Sequence, residues 1–162
     1  MKLFLAPLAD FTDSPFRQMC LDGGADKVFT EMVSAAALSH GHSPTRHLLE
    51  VSSDERNVSC QIFGAEETDI AYTAKEIETI KDRFEAIDLN AGCPMQRITR
   101  AGAGAALVTQ PEKVYRLLKA MKENTSLPVT LKTRIGKNPE TTTVFEILDA
   151  AEKAGASRIT VH

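Results

Sequence analysis

Residues 86–94 read AIDLNAGCP, an apolar run of strand length that ends in two small residues, a thiol and a proline. Ala91 and Gly92 allow close approach to the backbone, and Pro94 fixes its own φ and cannot continue a sheet ladder. Cys93 is therefore placed on a loop at the C-terminal end of a strand, where it can meet a ligand instead of the core.

Working outward, short apolar runs alternate with amphipathic stretches. Candidate strands fall at 3–6, 27–31, 58–63, 86–90, 129–134 and 158–162. They are rich in Val, Ile, Leu and Phe without strict alternation, as parallel strands buried on both faces would be. Ser14 and Pro15 are read as N-cap and first-turn proline of a helix that Gly23-Gly24 closes. A second helix is expected over 66–81, with Ile70, Ala74 and Ile77 inward and Glu66 and Glu67 on the solvated face. Val114, Leu117, Leu118 and Met121 recur at i, i+3, i+4, i+7 after Thr109 and Pro111. Val144, Ile147, Leu148 and Ala151 repeat that spacing up to Gly155.

This repetition demands a parallel sheet with right-handed crossovers, which a closed barrel and an open doubly wound sheet both satisfy. No Gly-x-Gly-x-x-Gly fingerprint and no Gly-Lys-Ser/Thr loop follows the first strand, so a nucleotide-binding open sheet loses support. Polar or special residues end nearly every strand: Ala6-Pro7, Glu31-Met32, Gln61, Asn90 to Cys93, Lys132 to Arg134 and His162. An eight-stranded barrel carries its active site on that rim. The expected fold is α/β, a TIM (β/α)8 barrel that is incomplete, with about six strands in one domain over residues 1–162.

With 162 residues, 43% of them hydrophobic, the chain can bury a core. Its net charge of −3 gives no general pull toward nucleic acid or an anionic membrane. No apolar run approaches a membrane span, and residues 1–20 lack the layout of a signal peptide. Three cysteines without paired spacing fit a reducing compartment, and the cytoplasm is the expected location.

Among single residues, Lys132 inside VTLKTRI stands out, because a lysine on an interior strand is seldom buried without a partner. A thiol, an amide, an ammonium and an imidazole (Cys93, Gln61, Lys132, His162) converging on one barrel mouth suit a planar, polar cofactor and substrate. Arg97 and Arg100 adjoin a Gly/Ala loop and read either as contacts to RNA phosphate or as a solvated loop. His40, His42 and His47 suggest a metal, but carboxylate or thiol partners are missing and no metal is expected. Cys20 and Cys60 sit in apolar surroundings and are assigned to the core.

The motifs LAPLADFTDSPFR (5–17), TEMVSAAAL (30–38), CQIFG (60–64), IDLNAGCPMQRITRAGAGAALV (87–108), PVTLKTRIG (128–136) and GASRITVH (155–162) resemble, in order, those of the tRNA-dihydrouridine synthases. Those are FMN-dependent barrel enzymes that reduce a uridine of tRNA to dihydrouridine, with NADPH as reductant. The resemblance implies that Pro7, Leu8 and Ala9 contact the flavin through their backbone and that Gln61, Lys132 and His162 bind it. It makes Cys93 the proton donor and puts Asn90 beside the substrate base. Family members are longer, so the match is expected to stop inside the barrel, before the loops that hold the FMN phosphate and the helical domain that grips tRNA. A chain of this extent is expected to be inactive alone and to self-associate through exposed sheet edges. A related FMN barrel acting on a free pyrimidine and an inactive folded fragment are the competing readings.

The chemistry agrees with this resemblance. Reducing a C5=C6 bond takes a hydride at one carbon, which a flavin supplies, and a proton at the other. A thiol of ordinary pKa, about 8.5, is still protonated at neutral pH, so Cys93 is expected to act as a neutral acid. Lys132 is expected to stabilise negative charge developing on the reduced ring.

Overall fold

A computed structural model describes residues 1–138 and 140–162. Its main sheet has six strands, all parallel. β3 (Val58–Phe63) receives two short segments along one edge, β1 (Val28–Phe29) and β2 (Val33–Ser34). On its other edge follow β4 (Ala86–Ala91), β5 (Val129–Thr133) and β8 (Arg158–Val161). From β3 onward, each strand of this sheet adds beside the one before it in chain order. A doubly wound sheet would reverse its order at a switch point. This one curls steadily in one direction, as half of a barrel does.

Helices cover the convex side. α2 (Ala35–Ser39), α3 (Glu67–Glu78), α5 (Pro111–Asn124) and α6 (Val144–Lys153) pack successively against one another. Their apolar faces, including Ile70, Ala74, Ile77, Leu117, Leu118, Met121 and Ile147, form one core with Val58, Cys60, Ile62, Ile87, Leu89, Val129 and Leu131 of the strands. Among the described residues the other α-helices are α1 (Ser14–Asp22) and α4 (Gln96–Arg100). A hairpin of β6 (Gly136–Asn138) and β7 (Thr141–Thr142) leads into α6.

Three expectations need correction. Residues 3–6 form no strand; Phe4 makes a single bridge to Lys27, with the N–H of Leu5 donating to the Lys27 carbonyl and the N–H of Asp26 to the Leu3 carbonyl. The N-cap of α1 is Asp13, whose carboxylate accepts from the N–H of Phe16 at 3.0 Å, while Ser14 is already helical and Pro15 lies in the first turn. A carboxylate also suits the positive end of the helix dipole better than a hydroxyl.

The third correction matters most for function. The central strands are buried on both faces, as expected, but they do alternate, and only one face is apolar. Cys60, Ile62, Ile87, Leu89, Val129 and Leu131 turn to the helices. Ser59, Gln61, Asp88, Asn90 and Thr130 occupy the intervening positions and are buried on the concave side. Successive side chains of a strand must face opposite ways. The register then aligns Gln61, Asp88 and Thr130 at one level across β3, β4 and β5, with Asn90 and Lys132 paired one step nearer the rim.

Candidate functional site

The concave face opens at the C-terminal ends of the strands into a cavity of about 390 Å³. Pro7, Leu8 and Ala9 border it from the N-terminal loop; Gln61, Asn90, Cys93, Lys132 and His162 border it from β3, β4, β5 and β8. Every residue expected to touch a ring or a base is thus brought to one mouth. Met32 and Arg134 join them, unassigned in the sequence reading. For Arg134 the signal was its position at a strand end in VTLKTR; for Met32 only its place after Glu31 pointed inward.

Arg97 and Arg100 lie outside this cavity. Both are exposed on α4, and Arg97 borders a neighbouring groove with His40 and His42. Among the described residues no group of three or more His, Cys, Asp or Glu is placed to hold a metal ion. His40 and His47 turn their rings to the nearby carbonyls of Ala36 and Pro44.

Each wall has its own support. In the N-terminal loop, the N–H of Leu8 donates to the Thr12 hydroxyl at 3.1 Å, and that hydroxyl donates back to the Leu8 carbonyl at 3.0 Å. The guanidinium of Arg17 donates to the Thr12 carbonyl at 2.8 Å and pairs with Glu55 at 2.6 Å, both side chains being buried. A short buried chain therefore fixes the backbone of residues 7–9 at the rim. Opposite, Nε of Arg134 donates to the Gly92 carbonyl at 2.6 Å, which ties the end of β5 to the loop carrying Cys93.

That loop is held from below as well. The Asn90 side-chain carbonyl accepts from the N–H groups of Gly92 at 3.1 Å and Cys93 at 2.9 Å. Its amide donates to Oε1 of Gln61 at 2.9 Å, and Nε2 of Gln61 donates to Asp88 at 2.7 Å. Asp88 also accepts from the Thr130 hydroxyl at 2.5 Å. From the other side, the Cys93 carbonyl accepts from the N–H of Ala105 at 2.9 Å. This bond joins NAGCP to the following GAGAAL block, so the two motifs form one structural unit.

Burial shapes the charges. It pushes the Asp88 carboxyl above its usual range, opposed by the hydrogen bonds from Gln61 and Thr130. It pushes the Lys132 ammonium below its ordinary value, with Arg134 adding to the effect and Asp88 opposing it. Cys60, wholly buried on the helix side, is pushed up to about 12 and stays a thiol near neutrality. The two cysteines thus separate: Cys60 belongs to the core, as expected, while Cys93 is half-buried at the cavity. Cys20 is also half-buried, resting against the core.

A stability prediction arises from Asp88. The folded state holds its proton more tightly than the unfolded chain, so its ionised form opposes folding as pH rises above the ordinary carboxylate range. Asp88→Asn keeps the shape and removes that desolvated charge. The expected result is a melting temperature a few degrees above wild type at pH 8, a gap that narrows as the solution is acidified. Thermal melts across pH check this, and a variant melting below wild type at pH 8 would refute it.

Chemically, the mouth offers an amide, an ammonium, an imidazole and a thiol together with an apolar lining that includes Ala6, Leu8 and Met32. Such a set suits a planar ring with polar edges, lying beside a second ring that can take a proton. Its volume falls in the range of small-molecule sites, about 300–1,000 Å³.

Comparison with known proteins places the chain in a family. The family model described as "Dihydrouridine synthase (Dus)" matches residues 4–162. A probable tRNA-dihydrouridine synthase of Treponema pallidum is 38% identical over 165 residues, which cover 99% of this chain and 48% of that protein. The tRNA-dihydrouridine synthase B of Proteus vulgaris is 37% identical over 161 residues, 99% of this chain and 49% of its own length. A probable tRNA-dihydrouridine synthase of Helicobacter pylori is 35% identical over 164 residues, with 99% and 48% covered. The chain spans about half the length of the curated relatives it matches.

Proposed function

This chain belongs to the dihydrouridine synthase family, and on that premise we propose that its protein reduces uridine in tRNA to 5,6-dihydrouridine, using FMN and NADPH. The observation that carries the proposal is the meeting of Cys93 and Asn90 with Gln61, Lys132 and His162 at one cavity.

The residues at the mouth fit a flavin. Gln61, Lys132 and His162 offer side-chain hydrogen bonds to its polar edge, and the pinned loop of Pro7, Leu8 and Ala9 offers backbone contacts. FMN bound there would supply the hydride for one carbon of the C5=C6 bond. The thiol of Cys93 gives its proton to the other carbon, acting as general acid. Asn90, tied to the Cys93 loop by two bonds, holds the thiol's position relative to the base. Lys132 balances negative charge that develops as the ring is reduced; half-buried, it acts through a medium less screening than bulk water. The substrate class comes from the relatives' own names, which specify tRNA.

Lys132→Ala and Gln61→Ala are expected to weaken FMN retention by about tenfold or more, the loss typical of a hydrogen bond to a charged or buried partner. Flavin absorbance after gel filtration measures this, and undiminished flavin in both variants would make the residues structural. The reading as a whole is tested by reducing the flavin of the full-length protein with NADPH under nitrogen and adding substrate. Reoxidation by tRNA and not by free uridine is expected. Equal reoxidation by free uridine would make it a reductase of free pyrimidines.

A further inference from the structure

We propose that Asp88 and Thr130 together set the direction of the hydrogen-bond chain that orients the Cys93 loop, which makes them positioning residues for the proton transfer; this rests on the role given above to Cys93. Neither borders the cavity, and each is only 1% exposed. They act through Gln61 and Asn90.

The chain has an intrinsic direction. Asp88 accepts at both of its oxygens, from Thr130 at one and from Gln61 at the other. Gln61 therefore turns its NH2 to Asp88, at 2.7 Å, and its Oε1 to Asn90. Asn90 must answer with its own NH2, at 2.9 Å, which leaves its carbonyl for the loop. The far end demands the same sense, because the N–H groups of Gly92 and Cys93 only donate. Reversing either amide sets NH2 against NH2 or oxygen against oxygen at the next link. Both ends agree, and the loop is held by that agreement.

Thr130 is the bidirectional member. Its hydroxyl donates to Asp88 at 2.5 Å, yet a hydroxyl can also accept. In Asp88→Asn, the new amide can give its oxygen to Gln61 and its NH2 to Thr130, so the direction survives. In Thr130→Val, Asp88 still accepts from Gln61, and the direction survives again. With both changes the NH2 at position 88 finds no acceptor at position 130. Every arrangement of the chain then leaves a donor unpaired: the NH2 at position 88 if the direction is kept, or the N–H groups of Gly92 and Cys93 if that NH2 turns to Gln61 and both amides reverse. Each single change is compensated by the other residue; the pair is not.

The test measures the alkylation rate of Cys93 by iodoacetamide in the full chain, read by peptide mass spectrometry. Cys60, 0% exposed, reports folding in the same samples by staying unmodified. Asp88→Asn and Thr130→Val should each leave the Cys93 rate within about twofold of wild type. The double variant should react about tenfold faster or more, because the loop has lost its tie. A double variant whose rate is the product of the two single effects would overturn the proposal, as would the full change in Asp88→Asn alone. If Cys60 also reacts in the double variant, Asp88→Asn/Thr130→Ser is compared with Asp88→Asn/Thr130→Ala. Slow Cys93 alkylation restored only by serine supports the proposal, and equal rates refute it. The assay needs neither flavin nor tRNA. Failure of the proposed reaction therefore shows separately, as wild-type protein with intact coupling that does not reduce tRNA.

Discussion

Cys93→Ala is expected to lower reduction of tRNA by about 10²- to 10⁴-fold, the contribution of a positioned general acid, while NADPH reduces the flavin at nearly the wild-type rate. The separation follows from where the thiol acts. Cys93 stands at the cavity on a loop tied to Asn90 and Ala105, and its proposed task is to protonate the base. Flavin reduction requires no such proton. Stopped-flow absorbance follows that half-reaction and nucleoside analysis of the tRNA follows the other. Product formation close to wild type in the alanine variant would remove Cys93 from the mechanism. Slowing of both half-reactions alike would point instead to a collapsed site.

Gly104→Ala should be nearly as damaging, through geometry alone. Gly104 has φ of +58°, and a Cβ there would stand 2.6 Å from the Cys93 carbonyl oxygen and 2.8 Å from a methyl of Ile98. A left-handed conformation costs a non-glycine residue about 1–2 kcal/mol, and forced overpacking adds about 1–3 kcal/mol. The expected loss of about 2–5 kcal/mol corresponds to a fall in melting temperature on the order of 5–20 °C for a chain of this size. Activity should fall beyond what instability explains, because the neighbouring N–H of Ala105 holds the Cys93 carbonyl. Gly41→Ala is the control: its φ is +76°, but nothing lies within 4 Å of the added carbon. It should cost only the conformational part. Equal melting temperatures for the two variants would show that Gly104 does not brace the loop.

Much of this was legible in the chain. The strands β3, β4 and β5 coincide closely with the apolar runs at 58–63, 86–90 and 129–134, because each supplies a full row of side chains to the helices. Gln61, Asn90, Cys93, Lys132 and His162 were found together because parallel strands end on one rim, so a polar residue at each end already implies a shared mouth. Residues 3–6 fall short of the expected first strand, since they pair with residues 26–27 through a single bridge and, apart from Leu5, their apolar side chains are exposed. Asp88 escaped notice for a different reason. In IDLN the polar residues alternate with apolar ones, a period-2 signal of two unlike faces, but a strand buried on both faces gives no outward sign of which polar side chains its inner face gathers. Its partners, Gln61 and Thr130, lie 27 and 42 residues away, and only the strand register brings the three together. Arg97 and Arg100 were singled out by charge beside a Gly/Ala loop, and charge alone does not say which way a short helix turns them.

The most direct test of the account is nucleoside mass spectrometry of tRNA incubated with the full-length protein, FMN and NADPH. The tRNA should lack the modification at the outset. The account predicts that uridine gains two hydrogens, that the gain depends on NADPH, and that Cys93→Ala abolishes it. A flavin-loaded, NADPH-reducible protein that leaves every uridine unchanged would contradict it.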